Sequence, residues 1–145
     1  MPFHFKMQKV LEYREQLEEE ARVQLAHAER LRLREEERAV RLKGMLAEQE
    51  AKLYRDVALS SGERWLLENF VKGLRADLAS TVMRLRSLTQ AVAAARSALQ
   101  ERAKDRKLLE KLKERQKEYY VHEERLKEQR TNDETATLRY KAPAL

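Results

Sequence analysis

The 145-residue sequence has no cysteine, and its two prolines, Pro2 and Pro143, stand at the extreme ends. Without cysteine there is no disulfide scaffold and no thiolate metal site, which fits a reducing compartment. Without internal proline, about 140 consecutive residues avoid the side chain that costs roughly 3 kcal/mol inside a helix. Glycine is nearly as scarce: Gly44, Gly62 and Gly73 cannot supply the turns of a β-protein, and isoleucine is absent. These gaps exclude sandwiches, barrels and doubly wound sheets. The longest uncharged run, Ser87–Ala95, falls far short of the roughly 20 apolar residues of a membrane span. Met1–Met7 contains His4 and Lys6, no apolar stretch follows it, and it does not read as a signal peptide. A soluble or peripheral protein is expected.

What is present is charge. Lys and Arg number 31 against 25 Asp and Glu, so 39% of the chain is charged and the net charge is +6. With Leu and Ala dominating the 42% that is hydrophobic, the composition calls for long helices in one domain. The surplus is uneven. Residues 1–60 hold twelve bases and twelve acids, whereas Arg102–Lys117 holds eight bases against three acids.

Ser60-Ser61-Gly62-Glu63 is the one internal punctuation mark, joining two capping residues to a glycine and an acid suited to a helix start. It predicts helix 1 over about His4–Ala58, a loop at 59–62, helix 2 over about Glu63–Thr135, and a frayed tail at 136–145. In helix 2, Leu67, Val71, Leu74, Leu78, Thr81, Leu85, Leu88, Val92, Ala95 and Leu99 alternate spacings of four and three, the signature of a coiled-coil seam. Beyond Leu99, Arg102 and Arg106 fall on that seam, and the apolar pattern resumes as Leu109, Leu112, Gln116, Tyr119, Glu123 and Leu126, a phase shift.

Helix 1 offers a weaker register of Met7, Val10, Leu17, Ala21, Ala28, Leu31, Leu42 and Met45. Arg14, Gln24, Glu35, Arg38 and Gln49 interrupt it, and Leu11, Leu25, Leu46 and Leu53 broaden it. Two such helices joined by a short loop bury their stripes on each other, so the expected fold is an all-α antiparallel coiled-coil hairpin. Helix 1 would span roughly 80 Å and helix 2 roughly 110 Å, leaving a C-terminal helix of roughly 30 Å projecting beyond about residue 116.

Little suggests catalysis. His4, His27 and His122 show no ligand spacing, and the acid runs Glu18–Glu20, Glu35–Glu37 and Glu123–Glu124 read as solvated faces rather than acid/base pairs. No phosphate loop occurs, and neither an enzyme, a cofactor nor a metal is expected. The basic stretch, with Arg102, Arg106, Lys107, Lys111 and Arg115, reads either as an arm for an acidic surface or as a solvated helix face. Its interspersed acids and lack of an aromatic platform argue against nucleic acid. Tyr119 and Tyr120 lie where helix 1 is not expected to reach, and Phe3 and Phe5 lie at the same end, so both termini form a candidate docking surface.

Phe3-His4-Phe5-Lys6-Met7-Gln8-Lys9-Val10-Leu11-Glu12-Tyr13-Arg14 resembles the opening of the flagellar export protein FliJ family, in which an aromatic pair precedes a first helical turn and a Glu-rich helix. Leu108-Leu109-Glu110-Lys111-Leu112-Lys113-Glu114-Arg115-Gln116, followed by Tyr119 and by Asn132-Asp133-Glu134, is similar to the family's C-terminal half. Trp65–Leu74 matches its second-helix start in pattern, although Trp65 itself is not a family feature. The resemblance implies an antiparallel coiled coil acting as the central stalk of the type III export ATPase. It implies insertion of the terminal end into the hexameric ATPase, FliI, through Phe3, Phe5, Tyr119, Tyr120 and the bases named above. It also implies contact with the export-gate protein FlhA near Phe70 and Leu74, where Asp77 and Thr81 depart from the pattern, and dealings with export chaperones. A cytoplasmic place at the inner membrane, held through partners, and a role in flagellum assembly, motility and chemotaxis follow from the same resemblance. The alternatives are the equivalent stalk of a virulence secretion system and a self-associating structural coiled coil.

Overall fold

A computed structural model describes residues 2–55 and 58–140. Two helices account for nearly all of them: α1, Gln8–Arg55, and α2, Ser61–Arg139, with no strand among the described residues. The protein is all-α.

The helix ends differ from the expected ones for local reasons. α1 starts at Gln8 rather than near His4, because Phe5 is drawn into the packing and its carbonyl accepts the Gln8 N–H at 3.1 Å in a turn before the helix. α1 ends at Arg55, with Lys52 and Arg55 in its last turn, where cations suit the negative end of the helix dipole. Asp56 and Val57, the next residues of the expected helix, lie outside the described residues; Ala58 is in a turn, and Leu59 and Ser60 are non-helical.

α2 takes in Ser61 and Gly62, assigned above to the loop, because Ser60 caps it. The Glu63 N–H donates to Ser60 Oγ at 3.2 Å, and the Ser60 N–H donates to Glu63 Oε2 at 3.3 Å. This reciprocal capping box satisfies two helix-end donors at once. At its other end α2 passes Thr135 and runs to Arg139, with the Tyr140 N–H bonded to the Ala136 carbonyl. No proline or glycine intervenes to stop it, and the remaining tail, 141–145, lies outside the described residues.

Two compact units divide the chain, Glu19–Gln100 and Met1–Glu18 with Glu101–Leu145. In the first, the α2 seam is the expected one. All ten positions from Leu67 to Leu99 are buried or half-buried, and apart from Val82 every other residue of 61–100 is exposed. Thr81, its single polar member, donates its hydroxyl to the Asp77 carbonyl at 2.9 Å and so enters the interior with its polar group satisfied.

The α1 face of this unit corrects the sequence register. Ala21, Leu25, Ala28, Arg32, Glu35, Ala39, Leu42, Leu46, Gln49 and Leu53 alternate in steps of four and three, and all are buried or half-buried. Leu25, Leu46 and Leu53 therefore lie on the seam rather than beside it, Glu35 and Gln49 are members rather than interruptions, and Met45 is exposed. Ion pairs link the helices: Glu29–Arg96 at 3.5 Å, Glu35–Arg84 at 3.4 Å and Glu50–Arg75 at 2.8 Å. As the α1 member advances, the α2 member recedes. Hydrogen bonds to Glu50 and then Tyr54 hold the Arg75 guanidinium above its ordinary pKa.

In the second unit Phe5, Leu11 and Glu18 are buried, while Met7 and Val10, expected on the seam, are exposed. The expected phase shift in α2 is met only in part: Leu109, Leu112, Glu123 and Leu126 are half-buried. Gln116 and Tyr119 are exposed, and steps of three, four and seven carry the original register through Arg106, Leu109, Lys113 and Tyr120, all half-buried. Arg106 holds a seam position because Glu18 meets it there, bonded through Nε, while its Nη1 donates to Glu110 at 2.8 Å. Hydrogen bonds to Glu18 and then Glu110 raise the Arg106 pKa. Arg14 and Asp105 add a second ion pair at 3.0 Å.

Candidate partner-docking surfaces

The candidate residues of the terminal surface all belong to the unit of residues 1–18 and 101–145, but they do not behave alike. Phe5 is only 3% exposed and acts as a core residue. Phe3 is half-buried, its ring 5.7 Å from that of Tyr120 with the planes inclined at 50°. Tyr119, one residue earlier on α2, is 68% exposed. Phe3, Arg115, Tyr119 and Tyr120 line one open groove, together with Pro2, His4, Lys6 and Gln116.

Its electrostatics follow from what the bases touch. Arg106 is engaged internally by Glu18 and Glu110. Arg102, Lys107, Lys111 and Arg115 are exposed and form no ion pair among the described residues, so their charge faces outward. Of these four, Arg115 lines the groove. Lys6 and His4 join that lining without having been singled out by the sequence. His4 lies between the two phenylalanines and Lys6 directly after the second, on the segment that Phe5 anchors, a placement visible only once Phe5 is known to be buried.

A second groove lies in the Glu19–Gln100 unit, lined by Lys52, Leu59, Glu63, Leu66, Leu67 and Phe70. Phe70 is 47% exposed and available there, whereas Leu74 is 5% exposed and sits in the seam. Trp65 and Leu66 are also exposed, and the Asn69 side chain donates to the Trp65 carbonyl at 3.0 Å.

No group of three or more His, Asp or Glu side chains able to hold a metal occurs among the described residues, and no described helix is long and apolar enough to cross a membrane. The sequence profile of the FliJ family, described as "Flagellar FliJ protein", matches residues 3–144. The chain belongs to the FliJ family. Membership assigns it to a family of non-catalytic proteins associated with flagellar protein export. No curated protein and no solved structure matches the chain.

Proposed function

We propose that this FliJ-family chain is the central stalk of the flagellar type III export ATPase. In this reading the whole chain is a single antiparallel coiled-coil domain whose terminal end enters the ATPase hexamer. The opposed order of the ion-pair partners along α1 and α2 supports the antiparallel arrangement. The observation that carries the reading is the length of α2 without a buried residue. Its last buried residue is Val92, Tyr120 packs on Phe3 ahead of the start of α1, and helix continues to Arg139. A helix that outlasts its internal partner suits a ring-penetrating projection.

Phe3, Tyr119, Tyr120, Arg102, Lys107, Lys111 and Arg115 would make the ring contact, with Phe5 and Arg106 holding that surface in shape. Phe70 would meet the export gate, with Leu74 supporting it from the seam. The stalk acts mechanically, coupling the ring to the gate on the cytoplasmic side of the inner membrane, where export chaperones also meet it. The test is ATP turnover by the hexameric export ATPase with and without the chain. Stimulation is expected, and deletion of residues 116–145 should abolish it. Full stimulation by the truncated chain would sink the stalk reading.

A further inference from the structure

Building on the ring-facing reading of this surface, we propose that the groove lined by Phe3, His4, Lys6, Arg115, Tyr119 and Tyr120 binds an acidic segment of the partner protein. A carboxylate of that segment would be held by Lys6, Arg115 and the Tyr120 hydroxyl. Three observations converge on this chemistry. No acidic side chain lines the groove, and Lys6 and Arg115 are exposed with no ion pair among the described residues. The Tyr120 hydroxyl is shut off from water and has no hydrogen-bond partner among the described residues. A buried, unpaired phenol is a standing penalty, removed when an acceptor arrives.

An ionised carboxylate accepts only, and accepts most strongly from charged donors, so one such group can serve the hydroxyl and both bases. Phe3, the ring packed against Tyr120, sits on the non-helical residues before α1, so a modest shift there admits the acceptor. Exposed Tyr119 supplies an apolar wall, which favours a segment with an aliphatic residue beside its acid. A nucleic-acid strand fits less well. Glu110, Glu114 and Glu118 recur once per helical turn along this stretch of α2, repelling an extended row of phosphates while leaving room for a single carboxylate.

The test is fluorescence anisotropy with the full chain and a short labelled peptide of Glu, Leu and Ser. The same peptide with Gln for Glu and a single-stranded oligonucleotide of equal charge serve as comparisons. The Glu peptide is expected to bind about tenfold tighter than either. Lys6→Gln with Arg115→Gln should erase that margin. Tyr120→Phe should weaken binding about threefold while the melting temperature holds or rises, because it deletes an unpaired buried hydroxyl. Equal affinity for the Glu and Gln peptides, tighter binding of the oligonucleotide, or unchanged binding by Tyr120→Phe would each overturn the proposal. No ATPase is present in this assay. Loss of stimulation with intact peptide binding counts against the stalk alone, and intact stimulation without peptide binding counts against the groove alone.

Discussion

Glu18 of α1 and Arg106 of α2 meet inside the helix seam, where Glu18 is only 4% exposed, and Arg106 extends the contact to Glu110 on its own helix. A charged pair in this position tolerates loss of both members better than loss of one. Glu18→Leu should therefore lower the melting temperature by about 5 °C, and adding Arg106→Leu should recover most of that loss. Circular-dichroism melts of the two variants decide it. A double variant no better than the single one would mean that the pair is not the source of the effect. The raised Arg106 pKa sets the pH window. Its contribution is full below the unfolded-state value and is lost only as pH rises through the higher folded one, so it persists up to at least about pH 10.

Val71, Val92 and Leu74 are the most enclosed aliphatic members of the α2 seam that follows the turn. Leu74→Ala is expected to lower stability by about 2–3 kcal/mol through lost burial and a cavity. Met83→Ala, on an exposed side chain, should stay within about 0.5 kcal/mol. Urea titrations with a shared slope measure both.

The capping box and the helical glycines push in opposite directions. Ser60→Ala removes the acceptor for the Glu63 N–H and should cost about 1 kcal/mol. Gly44 and Gly73 lie in helices, with nothing within 4 Å of where a Cβ would sit. Replacing either by Ala is expected to gain about 0.5–1 kcal/mol. Thermal unfolding of the three single variants checks the signs.

Phe5 and Tyr119 should separate stability from binding. Phe5→Ala empties a core position and should destabilise by about 3 kcal/mol. Tyr119→Ala should leave the melt unchanged and weaken ATPase binding about tenfold, as loss of an aromatic anchor does. Sedimentation with the ATPase, read beside the melts, distinguishes the two. A Tyr119 variant that binds normally would remove it from the contact.

On the gate side, Phe70→Ala should weaken binding to the export-gate protein without altering helical content, because Phe70 lines a groove rather than the seam. Calorimetric titration of the gate protein's soluble part is the measurement. Unaltered affinity would place the gate contact elsewhere.

The α2 seam from Leu67 to Leu99 was legible because nine of its ten members are apolar in a chain otherwise rich in charge. The α1 seam was legible only at Ala21, Ala28 and Leu42, because hydrophobicity is a poor guide where a helix buries charge. Arg14, Glu18, Arg32, Glu35 and Gln49 occupy inner positions, while Val10 and Met45 lie outside. The charged members are tolerated by partners that a single helix does not reveal, such as Asp105 for Arg14, Arg106 for Glu18 and Arg84 for Glu35. The same blindness overstated the phase shift, since Arg106 looked like a break and Tyr119 like its sequel. At the terminal surface the aromatic cluster was readable, but not that Phe5 turns inward and leaves Lys6 and His4 in the groove.

The ion-pair ladder also orders events in time. Arg75 and Glu50 are 25 residues apart along the chain, Arg84 and Glu35 are 49 apart, and Arg106 and Glu18 are 88 apart. Closing each longer loop asks for more chain entropy, while each rung already formed shortens the loop left to close. Folding should thus nucleate beside the Ser60 cap and proceed outward. Pulse-labelled hydrogen exchange should find amides near residues 46–53 and 71–78 protected before those of 11–18. Arg106 with Glu18, and Arg14 with Asp105 at a separation of 91 residues, then join last, making these polar rungs a final check on whether the preceding turns of helix were matched correctly.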